Sequence, residues 1–295
     1  MSPLTTLRFI WQHPLASRQR RKAIENYLRW QLGSRLRPGP VVVDFVNEAR
    51  LLVRPGMTGA TGNVYVGLHD FEDMGFVLHA LRPSDVFVDV GANVGSYTVL
   101  ASKGVGARCV SFEPVAAAFA VLSDNVRLNG VSDHVELRAE AVGSAPGKAR
   151  ITTGHDTGNR IASSEVLEGT AEVDVVALDA IESVRGACVI KIDVEGFESA
   201  VLAGAQRTLQ GALAVIMETN RSASSHGLGS SDTAAHDTLL ALGFSPFTYA
   251  PFQRRLISLG RGHKQDANTI YIRDIAQAEA RLRTGATFRT LGLRI

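Results

Sequence analysis

The residues best suited to chemistry stand at the ends of short apolar runs. Val86-Phe87-Val88-Asp89-Val90 leads directly into Gly91-Ala92-Asn93-Val94-Gly95. Glycines there permit positive φ and a close approach of ligand to backbone, and a helix starting next offers free N–H groups to an anion. A dinucleotide turn expects G-x-G-x-x-G, whereas this one reads Gly91-x-Asn93-x-Gly95 with an acid, Asp89, just before it. Asp89 can accept from an ammonium while the turn N–H groups hold a carboxylate. About 20 residues on, Val110-Ser111-Phe112-Glu113-Pro114 places Glu113 at the next strand end, where a carboxylate can accept from two ribose hydroxyls.

An amino-acid group joined to a nucleoside describes S-adenosylmethionine, the cofactor these residues favour. Glu140, after a third run at Val135 to Arg138, is either an acceptor for the adenine amino group or a solvated acid. Asp193 and Glu218 end two later runs, with Glu195 two residues beyond Asp193. Were the acceptor a hydroxyl, transfer would benefit from a base, and Asp193 or Glu195 would be expected to take the proton and Glu218 to orient the acceptor or share that role. Glu195 and Glu198 also suit the first turn of a helix, where acids complement the dipole, and for Glu198 this is the preferred reading. Asp193, Glu195 and Glu218 are hard oxygen ligands for Mg²⁺ as well, but Mg²⁺ keeps several waters and leaves no reliable spacing, so no metal is assigned.

The elements that must position these residues alternate regularly from residue 75 onward. Helix Gly75 to Leu81, strand Val86 to Val90, helix Gly95 to Ser102, strand Arg108 to Phe112, helix Ala116 to Asn129 and strand Val135 to Arg138 predict parallel βαβ units. Lys148 to Thr153 and Glu172 to Leu178, around a polar loop from Gly154 to Glu168, read as an inserted hairpin. Strand Cys188 to Asp193, helix Glu198 to Leu209, strand Leu213 to Glu218, helix Ser231 to Leu242 and strands near Phe244 to Tyr249 and Asn268 to Ile272 complete the series. The expected fold is α/β, a mostly parallel seven-stranded sheet ending in an antiparallel pair, with helices on both faces.

With 295 residues, 45% apolar and 20% charged, the chain suits one catalytic domain plus an appendage. Residues 1–60 read as an N-terminal appendage, with a helix from Arg21 to Leu32 stopped by Pro38-Gly39-Pro40 and a hairpin from Val41 to Val46 and Ala49 to Val53; residues 61–275 form the main domain and 276–295 a C-terminal extension. A net charge of +2 gives no reason to expect nucleic acid. The excess is concentrated at the start: Arg8, Arg18, Arg20, Arg21, Lys22, Arg29, Arg35 and Arg37 stand against Glu25 alone, a solvated face or one that meets an anionic surface. Trp11 and Trp30 there are expected to pack or to form a homo-oligomer rather than catalyse. No stretch is long and apolar enough to span a bilayer and no signal-type core opens the chain, making the cytoplasm the default expectation. Cys109 and Cys188 read as buried thiols.

The ordered set of motifs resembles the FkbM-type methyltransferase family. It comprises Asp89 to Thr98, Phe112-Glu113-Pro114, Asn125-Val126-Arg127-Leu128-Asn129, Leu178-Asp179, Lys191-Ile192-Asp193-Val194-Glu195-Gly196-Phe197-Glu198 and Glu218, within residues 65 to 250. The resemblance implies a Rossmann-like class I methyltransferase fold, S-adenosylmethionine as donor, and a hydroxyl acceptor on a saccharide or natural-product small molecule. It further implies that Gly67-Leu68-His69-Asp70 lies against the amino-acid end of the cofactor, with Asp70 standing where a Glu is expected. Polar residues in two loops are candidates for acceptor recognition: His155 and Arg160, beside Asp156 and Asn159, and His226 in the Gly/Ser-rich stretch from Ser222 to Ser231. Two other readings stand beside this one, an NAD-dependent oxidoreductase with a deviant glycine pattern and a non-catalytic binding module. Retention of Asp89, Glu113 and Asp193 together argues against the second.

Overall fold

A computed structural model describes residues 3–36, 39–152, 169–219, 232–265 and 267–295. The apolar runs pair into one sheet of eight strands: β1 (Val86–Val90), β2 (Arg108–Phe112), β3 (Val135–Arg138), β4 (Ala187–Ile192), β5 (Ala214–Thr219), β6 (Ser245–Ala250), β7 (Arg255–Ser258) and β8 (Ala267–Ile272). Their spatial order is β7-β6-β8-β5-β4-β1-β2-β3. Strands β3, β2, β1, β4 and β5 run parallel, and β8, β6 and β7 add antiparallel pairs. The chain leaves β1 in one direction and returns through β4 in the other, so β1 and β4 flank a topological switch point.

The sheet has one strand more than the sequence alternation predicts. Strand β7 lies at the edge, three of its four residues exposed, and therefore lacks the apolar run that marks a buried strand.

Alternate side chains of each strand enter two separate cores. Phe87, Cys109, Val189 and Ile216 face helices α4 (Phe71–Ala80) and α6 (Ala116–Leu128), whereas Val88, Val110, Ile190 and Met217 face α7 (Glu198–Ala203), α8 (Gln206–Gly211) and α9 (Asp232–Ala241). Burying each such aliphatic side chain contributes about 1.5–3 kcal/mol, which fixes the register of every strand and with it the positions of the strand ends. Both cysteines are buried, and neither forms a disulfide.

The N-terminal segment forms helices α1 (Pro3–Gln12) and α2 (Arg20–Leu36), the second longer at both ends than the periodicity predicts; α3 (Thr58–Val66) lies against α2, and the short α5 (Ser96–Val99) follows β1. Val41–Asp44 and Arg50–Val53 pair antiparallel. Asn125 of α6 and Asn129, the residue that caps its C-terminus, hold this ribbon: Asn125 Oδ1 accepts from Leu52 N at 2.6 Å and Asn129 Oδ1 from Arg50 N at 2.8 Å, while Asn125 Nδ2 donates to Val94 O at 2.8 Å. The insertion is a three-stranded sheet, because Ala141–Val142 joins the expected pair Gly147–Thr152 and Thr170–Val176. After β8, helix α10 (Ile275–Thr284) lies against α4, and Arg281 reaches Asp85, just ahead of β1, at 2.6 Å. No described helix is long and apolar enough to cross a membrane.

Candidate functional site

The carboxyl ends of β1 to β5 open into a cavity of about 470 Å³. Its first wall is the glycine turn. Gly91, Asn93 and Gly95 have φ of 80°, 50° and 88°, a region open to glycine and tolerated by asparagine. Gly91 is fixed twice, since a Cβ there would run into the Asp193 carbonyl oxygen. The N–H groups of Gly91 and Ala92 both donate to Phe112 O, at 3.0 and 2.9 Å, binding the turn to the end of β2.

Asp89 lies beneath the turn, 1% exposed. Its Oδ2 accepts from Thr98 Oγ1 at 2.7 Å, and its Oδ1 has no partner among the described residues. Burial pushes the carboxyl above its usual range, and the Lys191 ammonium draws it back. Glu113 closes the same wall: Oε2 accepts from Asn93 N and Oε1 from Val115 N, both at 2.8 Å. Burial carries Glu113 up to about 7 against the pull of those two N–H groups. Each Glu113 oxygen keeps one further lone pair for a ligand.

Strand register builds the second wall. Lys191 on β4 is the direct neighbour of Asp89 on β1, so both side chains rise on the same face of the sheet. The Lys191 ammonium donates to Asp193 Oδ2 at 2.6 Å and lies 4.8 Å from the centre of the Tyr97 ring. Burial disfavours its charge, but Asp193 and Asp89 more than offset this and hold the lysine above its ordinary value. Burial likewise works to raise Asp193, and Lys191 overcomes it, leaving that carboxyl below its ordinary value. Glu218, at the end of β5, hydrogen-bonds Asp193; burial and the Asp193 charge push it up. The opposite shifts favour the proton on the Glu218 side of the pair and the ionised form of Asp193 beside the lysine.

The cavity lining includes Asp70, Asp89, Gly91, Asn93, Glu113, Pro114, Glu140, Asp193, Glu195 and Glu218. Gly95 closes the turn behind it against Leu122. At the two ends of the lining, Glu140 Oε1 accepts from Arg138 at 2.7 Å, and Asp70 Oδ2 from the Tyr97 hydroxyl at 3.2 Å. Glu198 is buried outside the lining, its Oε1 accepting from Gly196 N at 3.1 Å. Asp179 anchors α8, accepting from the N–H groups of Arg207 and Thr208 at 2.9 Å each. His155, Arg160 and His226 lie outside the described residues. Among the described residues, no three His, Cys, Asp or Glu side chains converge as a metal ion would need.

The lining also holds polar residues that the spacing argument did not reach, among them Lys191, Tyr97, Asp73 and Asn268. Lys191 carried a signal of its own, a cation inside the apolar run Cys188 to Ile192. Asp73 carried another, an acid amid Phe71, Met74, Phe76 and Val77.

The Methyltransferase FkbM domain model matches residues 89–246, more than half of the chain. The chain belongs to the FkbM methyltransferase family. Membership and strand order together make the fold the Rossmann-like class I methyltransferase fold. Among solved structures, an FkbM methyltransferase from Methylobacillus flagellatus KT is similar at 16% identity and TM-score 0.44, over 65% of this chain and 44% of that one. The chain thus spans less than half the length of that relative. Precorrin-6y C5,15-methyltransferase from Geobacter metallireducens GS-15 gives 13% and 0.40, over 69% and 87%. A Streptococcus mutans protein solved in complex with SAH gives 8% and 0.42, over 68% and 96%. No curated protein matches the sequence.

Proposed function

We propose that this FkbM-family protein transfers the methyl group of S-adenosylmethionine to a hydroxyl oxygen on a saccharide or natural-product small molecule. The observation that carries the proposal is the meeting, in one cavity, of the Asp89–Gly91–Glu113 wall with the Lys191-held pair of Asp193 and Glu218. The first wall fits the donor. The bare Gly91 lets the turn lie directly against the end of β4, Asp89 Oδ1 has no partner among the described residues, and both Glu113 oxygens retain acceptor capacity. Asp70 and Glu140 extend it at either end, toward the amino-acid group and the adenine. When bound, S-adenosylmethionine supplies an electrophilic methyl carbon.

The second wall fits a hydroxyl. Asp193, ionised beside Lys191, accepts the hydroxyl proton as the new oxygen–carbon bond forms, and the protonated Glu218 donates to Asp193 and orients the acceptor. Glu195 borders the same space and is the second candidate for the base. Holding the hydroxyl in line contributes the larger share of the acceleration. Mg²⁺ is not required in this scheme, because the Lys191 ammonium already neutralises the charge beside the reacting oxygen.

Calorimetric titration with S-adenosylmethionine and with NAD tests the donor, and a screen of hydroxylated acceptors with labelled methyl donor tests the reaction. Binding of S-adenosylmethionine and label on an acceptor oxygen are expected. NAD binding without S-adenosylmethionine binding overturns the proposal in favour of an oxidoreductase, and label found on nitrogen or carbon overturns the hydroxyl.

A further inference from the structure

The N-terminal helices carry an apolar stripe that no described part of the molecule covers. Leu28, Leu32 and Leu36 recur at four-residue spacing on α2 and are 51%, 61% and 82% exposed. The opposite side of the same helix, Ala23, Tyr27 and Trp30, is buried. On α1, Leu4 and Trp11 are 79% and 57% exposed. Single exposed leucines are ordinary on a soluble protein, but a continuous stripe of them marks a surface that meets something.

The charge around the stripe says what that is. Helical spacing places Arg29 and Lys22 along one side of the α2 leucines and Arg35 along the other, all exposed. Arg20 stacks its guanidinium 4.4 Å from the centre of the Trp11 ring, joining the exposed surface of α1 to the start of α2. Within residues 1–40 eight basic side chains face one acid, Glu25, and Arg21 occupies that carboxylate at 2.8 Å. A second copy of this chain would set the arginines of one stripe against those of the other, which opposes association about a two-fold axis.

We propose that α1 and α2 form a docking face for an anionic lipid surface, the leucines and Trp11 entering the acyl boundary and the arginines meeting the headgroups. Such a face holds a protein on the surface reversibly, by shallow apolar burial plus charge. The inference does not depend on the acceptor or the donor.

Sedimentation of the full chain with phosphatidylcholine vesicles containing about one third phosphatidylglycerol, and with phosphatidylcholine alone, tests it. Binding to the anionic vesicles only, weakened by added salt, is expected. The double substitutions Leu28→Ser with Leu32→Ser, and Arg29→Ser with Arg35→Ser, should each weaken binding about tenfold or more, with thermal unfolding unchanged because all four side chains are exposed. No sedimentation, equal binding to uncharged vesicles, or variants that bind like the wild type overturn the proposal. So does a dimer in solution that Leu28→Ser with Leu32→Ser dissociates, since the occupant would then be a second copy.

Discussion

Lys191 Nζ and Asp193 Oδ2 lie 2.6 Å apart at the end of β4, with 4% of the lysine side chain and 34% of the aspartate side chain exposed. The lysine is the cation that lets Asp89, Asp193 and Glu218 share one small space. Lys191→Met removes it while keeping an unbranched side chain one atom shorter. Loss of a buried partner typically costs 3–5 kcal/mol; because Asp193 opens to the cavity, about 2–3 kcal/mol is expected, read from urea unfolding. Unchanged stability would show that the charges are balanced by other means.

Asp193→Asn keeps the shape of the strand end and removes the acceptor for the hydroxyl proton. Turnover should fall about 100-fold or more, with S-adenosylhomocysteine affinity within a few-fold of the wild type because Asp89 and Glu113 are untouched. Glu218→Gln should reduce turnover less and leave the acid limb of the pH profile in place, since that limb belongs to Asp193. If Glu195→Gln alone abolishes turnover while Asp193→Asn does not, the base is Glu195.

Asp73 gives a stability effect whose sign can be worked out. It is buried on α4 with Oδ1 unpartnered, and burial, together with the charges of Asp70 and Glu72, pushes it from 3.8 up to about 8 despite Lys264. Its folded-state pKa is raised, so its favourable contribution is complete below pH 3.8 and is lost as pH rises toward 8, where the unfolded chain has long been ionised. Asp73→Asn, which cannot ionise, should therefore gain on the wild type as pH rises, by about 2 kcal/mol or more between pH 5 and 8. Parallel stability curves for the two proteins would refute the assignment.

The cavity was legible where local geometry dictates the residues. Asp89, Gly91, Gly95 and Glu113 follow from how a parallel strand turns into a helix and from the chain length that separates neighbouring strands. The places of Lys191, Asp73 and Asn268 in it were not, because their neighbours come from remote segments: Lys191 meets Asp89 through register, and Asn268 stands opposite Glu218 across the β5–β8 pair. Strand β7 escaped because an exposed edge needs no apolar run. Asn125 and Asn129 were visible as a family motif, yet the groups they serve are backbone N–H and C=O groups, which leave no mark in the sequence.

That service makes Asn125 a test of how the N-terminal ribbon is held. Asn125→Leu leaves Leu52 N and Val94 O without their partners, in a position that is fully buried. An unsatisfied buried group costs about 1–3 kcal/mol, so a loss of roughly 2–4 kcal/mol is expected, with faster amide exchange at Leu52. Exchange at β4 should be affected only through the global loss. Protection retained at Leu52 would show that the ribbon holds itself.

Gly91 and Gly95 both have positive φ, but what surrounds them differs, and so should the outcome of giving each a Cβ. At Gly95 the new atom meets the Leu122 side-chain tip, which can rotate away, leaving mainly the backbone strain of about 1–3 kcal/mol. At Gly91 it meets the Asp193 carbonyl oxygen, which cannot retreat without moving the end of β4, the Asp193 carboxylate and its bond to Lys191. Gly91→Ala should therefore lose S-adenosylhomocysteine affinity and turnover together, by tenfold or more, whereas Gly95→Ala should lose mainly stability. Calorimetric titration beside thermal unfolding separates the two. Equal effects on affinity would mean that the turn, and not its contact with β4, shapes the site.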